Sequence, residues 1–540
     1  MNNLPKYMKW CFWGILFLFV ACSKNSGDIV PKNASLSFIE STVPLEELST
    51  DGGTISIEVE SSYTTWNIKA GDAKEGQKFI TQITPANAGS AYEENTQTSV
   101  SIIYGSNLTS TQNRQQVIIS SVTDNLSDTI VIIQAAKPVV KQNVTIDPSI
   151  TYQTVSGFGG ANAIWGTDYL SSSEMDLAFG TGDNDLGLSI LRVRLSSDKN
   201  DWAGLVNSIK GANAHHVKVL ATPWSPPAVW KSNNSVDGGG SLLETHYADF
   251  VNYINEFIQY MSSQGATVDV VSIQNEPDWK APYEGCEYTT SEMFNFVKNY
   301  AGGIKGAKVL AAESLNFNQA YTDDILNDPV AADNLDIIGG HLYGAGLEPY
   351  PLAVQKGKEI WMTEHLLNLD SGNNPDNWTG NTGVKTIWDE SMKMVREIQT
   401  AMMDNWNAYI WWYIRRYYSF LGDGERGTTR GQILKRGYAM SQFAKFVRPG
   451  YVRIQARLEN TSSGLIITAY KGDNKIVVAI VNPTNVDVPG VNLINSTVVS
   501  SAVAYTTSEF VNRKMENLTP DNTNVTVDIT ANSVTTIVIE

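Results

Sequence analysis

At 540 residues the chain is too long for one ordinary domain and implies three or four structural units. Its 39 Lys and Arg against 56 Asp and Glu give a net charge of −17 with no basic cluster, which argues against a nucleic-acid partner. Only 3 cysteines and 5 scattered histidines occur, without metal-ligand spacing, so neither a catalytic metal nor any other cofactor is expected.

Lys6 and Lys9 precede an apolar run at 10–21 that ends Phe19-Val-Ala-Cys22. A basic start, a short apolar core and a small residue before the cut describe a signal peptide at 1–22, too short for a comfortable membrane span. Ala21-Cys22 resembles the lipobox of bacterial lipoproteins, which implies lipidation at Cys22 and an outer-membrane, surface-exposed protein held by its lipid alone. Secretion after simple cleavage is the alternative, and mass analysis of the mature N-terminus separates the two. Cys11 and Cys22 belong to this segment, so Cys286 stands alone and packing rather than a disulfide must stabilise the folded parts.

Residues 23–34 are small and polar and read as a linker. From 35 to 136 short alternating runs such as Thr54-Ile-Ser-Ile-Glu-Val-Glu60 and Gln116-Val-Ile-Ile119 are separated by turn signals such as Asp51-Gly-Gly53, which predicts a small all-β sandwich. The segment resembles the carbohydrate-associated sandwich modules placed ahead of glycosidases in gut Bacteroidetes, with a spacer or a glycan-binding role both open.

A second linker, 137–142, leads into a different pattern across 143–441. Apolar runs predict strands at 154–160, 188–195, 217–222, 268–274, 307–312, 335–340, 359–363 and 408–413, with amphipathic helices between them. Phe250, Ile254, Phe257, Ile258 and Met261 recur at helical spacing, and Thr289 with Glu292 makes a capping box. Strand and helix in eightfold alternation predict a (β/α)8 TIM barrel. Alternation returns over 442–540, a side β-sandwich to which 143–153 can add a strand.

The chemistry-bearing residues sit at strand ends. Glu276 in Asn275-Glu-Pro277 closes the fourth strand and Glu364 in Trp361-Met-Thr-Glu-His365 closes the seventh, positions from which two carboxyls can face each other across a barrel mouth. A retaining glycosidase needs that arrangement, with Glu276 as acid/base and Glu364 as nucleophile. Asn275 suits the sugar 2-hydroxyl, and Trp165 and Trp224 offer flat apolar faces next to strand ends. Trp230 and Trp279 fit rim packing equally well, Glu313 reads as structural, and Trp378 in the loop 366–388 is a candidate for a distal subsite.

Gly157-Phe-Gly-Gly160, Thr222-Pro-Trp-Ser-Pro-Pro227, Ser272-Ile-Gln-Asn-Glu-Pro-Asp-Trp279, Trp361-Met-Thr-Glu364 and Trp411-Trp-Tyr-Ile-Arg-Arg416 resemble glycoside hydrolase family 30 of clan A. The resemblance runs from about 144 to the end of the chain. It implies a retaining mechanism with the two roles given above. Trp412-Tyr-Ile-Arg-Arg-Tyr-Tyr418 further resembles the bacterial glucuronoxylanase branch, in which an Arg and aromatics hold the 4-O-methylglucuronic acid side group of xylan. That implies uronate contacts from Trp412, Arg416 and Tyr418, with Tyr343 of His341-Leu-Tyr343, and His341 is a further candidate for substrate binding. Positions 412, 414, 416 and 418 share a face if the segment is extended, and a guanidinium fits a planar carboxylate. The expectation is a monomeric endo-β-1,4-xylanase selective for glucuronoxylan. The alternatives are another family-30 activity, on β-1,6-glucan, β-glucosides or glucosylceramide, and a non-catalytic glycan-binding lipoprotein.

Overall fold

A computed structural model describes residues 32–109, 111–137, 142–367 and 384–540. The expected signal segment with Cys22, and Trp378 of the long loop, lie outside the described residues. The chain divides into two compact units, Met1–Pro138 and Val139–Glu540.

The first unit holds two four-stranded sheets. One runs Ser35–Phe38, Gly53–Ser62, Thr96–Tyr104, Ile80–Thr84, and the other Asn87–Ser90, Thr64–Glu75, Asn113–Ser121, Ser127–Gln134. Period-two patterning explains the layering: Ile57 and Val59 point inward with Val100, Ile102, Val117, Ile119 and Trp66, while the residues between them face out. Each such fully buried side chain contributes about 1.5–3 kcal/mol relative to exposure.

The second unit is built on a closed barrel of eight parallel strands. These are β1 (Gly157–Ala161), β2 (Ile190–Leu195), β3 (Lys218–Pro223), β4 (Val270–Ser272), β5 (Lys308–Ser314), β6 (Ile337–His341), β7 (Glu359–Glu364) and β8 (Ala408–Trp411). All eight correspond to the expected apolar runs, because strands covered by helices outside and side chains inside need no polar alternation. Ile190, Leu220, Val270, Leu310, Ile337, Trp361, Ala408 and Ile410 fill one cluster inside the barrel. The closing seam pairs Gly157 with Ala408 through Gly160 with Trp411. Glycine is required there: a Cβ on Gly159 would lie 2.1 Å from the Ile190 carbonyl oxygen. The expected helix at Phe250 is Tyr247–Ser263, and Thr289 caps Thr290–Asn299 with Glu292 returning the bond.

Both boundaries between barrel and side sheet differ from the expectation. The first barrel strand begins at Gly157 rather than 154, since Gln142–Thr154 is one long strand of the side sheet, antiparallel to Val452–Leu458 and parallel to Val488–Ile494. The C-terminal boundary at 442 falls inside the helix Lys435–Ala444, and the sheet resumes at Val452, past Pro449 and Gly450. Here an amphipathic helix runs directly into the linker, so no composition break marks its end. Nine strands form the side sheet, around Val144, Ile146, Val478, Ile480, Val491, Leu493, Val525 and Ile537. Gln399 on the helix Val384–Met403 donates to the Ala479 carbonyl at 2.9 Å, and Thr536 donates to the Gln442 carbonyl at 2.7 Å, tying sheet to barrel.

Candidate active site

Just past β4 the chain turns at Glu276, whose φ of +44° is in the left-handed region that glutamate rarely adopts. Two backbone bonds hold the turn: Asn275 N–H donates to the Pro223 carbonyl at 2.9 Å, and Glu276 N–H to the Glu313 carbonyl at 3.0 Å. Such strain costs about 1–3 kcal/mol and persists only where neighbours over-determine it. Its effect is to deliver the Glu276 carboxylate to His341 at the end of β6, whose Nδ1 lies 2.9 Å from Oε1. His341 is in register with Glu364, the last residue of β7. One oxygen of Glu276, one of Glu364 and a ring nitrogen of His341 all lie within 4.8 Å of one another. Both glutamates are 6 % exposed, enough to meet a ligand from one side.

Glu364 is held at both oxygens. Tyr343 hydroxyl donates to Oε1 at 2.7 Å and Arg192 Nη1 donates to Oε2. Arg192 Nη2 donates to Asn275 Oδ1 at 2.7 Å and to Glu313 Oε1 at 3.2 Å, and its Nε donates to Thr222 Oγ1 at 3.3 Å. The guanidinium is fully buried, with Trp224 beneath it at 4.8 Å from the ring centroid. Glu276, His341 and Glu364 are compact enough to surround a cation. Both oxygens of Glu364 already accept hydrogens, however, and the Arg192 charge would repel a metal.

Electrostatics follow from this packing. Burial works against the charge on Glu313, yet the Arg192 charge and His341 bring its carboxyl down to about 2. Burial likewise opposes protonation of His341, but the negative charge of Glu364 and the bond to Glu276 raise it to about 9. The His341 Nε2 to Glu313 distance of 3.7 Å is an ion-pair contact, too long for a hydrogen bond. Burial raises the Glu364 carboxyl, and the charge of Glu276 adds to that, while His341 and Arg192 pull it back.

His341 has a raised pKa in the folded state, so its contribution is full below about 6.5 and is lost as pH climbs toward 9. Glu313 has a lowered one, so its contribution is full above about 4.5 and is lost as pH falls toward 2. Unfolding free energies from urea titration should therefore peak between these limits and decline on the alkaline side by on the order of 3 kcal/mol. In His341→Asn the alkaline decline should flatten; an unchanged alkaline limb would contradict the assignment.

Beside the glutamates lies an aromatic wall. Trp165 and Trp224 meet edge to face at 5.6 Å, Trp224 and Trp412 lie 6.3 Å apart, and Trp165 reaches Tyr283 at 6.0 Å. Trp224, expected to stack on substrate, is only 2 % exposed and serves as the floor under Arg192, while Trp165 and Trp412 keep part of their surface open. Trp230 stacks on His246 as rim packing, whereas Trp279 remains 44 % exposed.

The segment after β8 is not extended, which corrects the shared-face expectation for 412–418. Strand pairing ends at Trp411, and Arg416 N–H to the Leu421 carbonyl with Ser419 N–H to the Arg416 carbonyl curl the chain into a turn. Ile414 drops into the core against Gly160. The turn nevertheless gathers Trp412, Arg416 and Tyr418. Arg416 lies over the Tyr413 ring at 4.5 Å, and the Trp412 indole N–H donates to the oxygen of the buried Tyr418 hydroxyl. Arg415 takes a purely structural course, buried against Glu174 and 2.5 Å from Asp168 Oδ1. Arg416 is a quarter exposed, and its only ion pair among the described residues is a long one, 3.5 Å to Asp168 Oδ2.

Comparison with known proteins decides the family. The chain is 37% identical over 421 residues to "Glucuronoxylanase XynC" of Bacillus subtilis (strain 168), a match covering 75% of this chain and 93% of that protein. The chain belongs to glycosyl hydrolase family 30. The family model for the "Glycosyl hydrolase family 30 TIM-barrel domain" matches residues 183–415 of this family-30 chain. Its structure is similar to the family 30 subfamily 8 xylanase Xyn30A of Clostridium acetobutylicum, with TM-score 0.65, 34% identity, and coverage of 74% of this chain and 99% of that one. A family-30 endoxylanase of Clostridium papyrosolvens C71 gives TM-score 0.63, 33% identity, and coverage of 74% and 100%.

Sequence reasoning missed Arg192 and underrated Glu313. A signal for Arg192 existed: Leu191-Arg-Val-Arg194 puts a guanidinium inside a strand buried on both faces, and such a charge demands a carboxylate partner. Glu313 passed as an ordinary strand end, because only the folded barrel brings it to Arg192 and His341.

Proposed function

We propose that the chain is a retaining endo-β-1,4-xylanase acting on glucuronoxylan. The observation that carries the mechanism is the spacing within 4.8 Å of one oxygen each from Glu276 and Glu364. Retaining glycosidases keep their carboxyls about 5–5.5 Å apart, whereas inverting enzymes leave room for a water between them. Glu276 donates its proton to the departing glycosidic oxygen, and Glu364 forms a bond to the anomeric carbon as that bond to oxygen breaks. A water then gives its proton to Glu276 and its oxygen to the anomeric carbon, releasing Glu364. Arg192 and Tyr343 fix the attacking carboxylate and favour its charged form. Because Asn275 Oδ1 accepts from Arg192, its Nδ2 is the atom that donates to a sugar 2-hydroxyl.

The substrate reading draws support from the relatives named for glucuronoxylan and xylan, and from the charge beside the cleft. Three guanidiniums, of Arg415, Arg416 and Arg430, meet two carboxylates, of Asp168 and Glu174, which leaves one positive charge. Arg416 is the least committed of the three and stands by the aromatic wall, where a single uronate would neutralise it. Arg416→Ala should lower kcat/KM on glucuronoxylan by about 30-fold or more, the worth of a charge-assisted pair, and far less on undecorated xylan. Equal losses on both substrates would reject uronate recognition.

A further inference from the structure

Asp168 occupies an unusual position for a residue beside an anion site. It lies on the loop after β1, between Ala161 and the helix Ser172–Phe179, and is 40% exposed at its side chain. Its Oδ1 is shared by Arg415 at 2.5 Å and Arg430 at 2.9 Å. Its Oδ2 reaches Arg416 Nη1 only at 3.5 Å, beyond good charge-assisted hydrogen-bond distance. Two guanidiniums thus hold the carboxylate back from a third. Arg415 is fully buried and pinned by Glu174 as well, so it cannot follow a ligand. Arg430 is 53% exposed and reaches both Asp168 and Glu174, the latter at 3.6 Å. Arg416, a quarter exposed, is the one of the three whose contact with Asp168 is incomplete.

We propose that Asp168 is an internal competitor for Arg416 that sets how tightly the enzyme holds an anionic side group of its substrate, resting on the uronate reading above. In the free enzyme the half-made contact orients the guanidinium toward the cleft and partly neutralises it. A uronate carboxylate then takes over that end of Arg416, and Asp168 keeps its bonds to Arg415 and Arg430. Arg430 acts as the counterweight: the more firmly it holds Asp168, the weaker the competition. A site tuned in this way binds the decorated segment firmly enough to select it and loosely enough to release product.

The proposal makes two variants move in opposite directions. Binding is read by calorimetry with xylotriose carrying one 4-O-methylglucuronate, and with plain xylotriose as the reference. Asp168→Asn removes the competitor and should tighten the decorated ligand relative to plain xylotriose by about fivefold, the scale of a partly exposed ion pair. Arg430→Gln frees Asp168 to close on Arg416 and should weaken the same ratio, by about twofold to fivefold. A purely structural role would shift both variants the same way, or shift both ligands alike, and either result overturns the proposal. Wild-type protein that binds the two ligands equally would overturn the uronate reading together with this inference. A wild-type preference left unchanged in both variants would overturn this inference alone.

Discussion

Replacing Glu364 with Ala should abolish turnover on xylan, lowering kcat by roughly four orders of magnitude or more, because no other group in the site can form the glycosyl ester. Glu276→Ala should cost about 10²–10⁴-fold on xylan, the usual worth of a positioned proton donor. It should cost far less in the first step with an aryl glycoside whose leaving group needs no proton. The two carboxylates look alike in burial, both 6 % exposed, yet their contacts differ. Glu276 faces the ring of His341, while Glu364 is gripped by Arg192 and Tyr343. The asymmetry supports the proposed roles: a carboxylate fixed at both oxygens suits attack along one line, and one bonded to an imidazole suits proton traffic. Azide should restore turnover to Glu276→Ala by giving a β-glycosyl azide, and should not rescue Glu364→Ala in that form. Loss of equal size with every leaving group in Glu276→Ala would contradict the assignment.

Arg192→Met should be the most destabilising substitution at the site. The guanidinium is fully buried and touches Glu364, Glu313 and Asn275, so its removal leaves two carboxylates with only the His341 charge beside them among the described residues. Breaking one partner of a buried ion pair costs about 3–5 kcal/mol, and here two acids share the loss. Part of it returns as proton uptake, since Glu313, held down to about 2 by the Arg192 charge against burial, would move up strongly. Urea unfolding should show the deficit growing from pH 5 to pH 8, as ionised carboxylates become harder to bury. Arg192→Lys keeps the charge but cannot reach three oxygens in one plane, so it should fall between the parent and Met. A Met variant within about 1 kcal/mol of the parent at pH 7 would show that the network is not held by its charge.

The barrel was readable because of how its strands are solvated. Parallel strands with helices outside and packed side chains inside must be apolar almost throughout, so eight runs stand out between amphipathic helices. Strand ends were legible to within a few residues, and that was enough to put Glu276 and Glu364 at the same end of the barrel. Arg192 escaped notice because its partners come from the turn after β4, from β5 and from β7, distant in sequence and brought together only by closure. The segment after β8 was misread for a different reason: alternation of Trp412, Arg416 and Tyr418 is compatible with a strand and with a turn. Only Ile414, caught in the core against Gly160, shows which one forms. Trp224 illustrates the same limit, since a tryptophan beside a catalytic strand can be floor or wall, and burial alone distinguishes them.

The central claim is that Glu364 forms a covalent bond to the sugar while Glu276 manages the proton. Peptide mapping by mass spectrometry after incubation with a 2-deoxy-2-fluoro-xylobioside bearing a reactive leaving group tests it directly. One fluoroxylobiosyl group on the peptide containing Glu364 is the predicted result; a label on Glu276 or Glu313 instead, or inactivation without any covalent adduct, would contradict it.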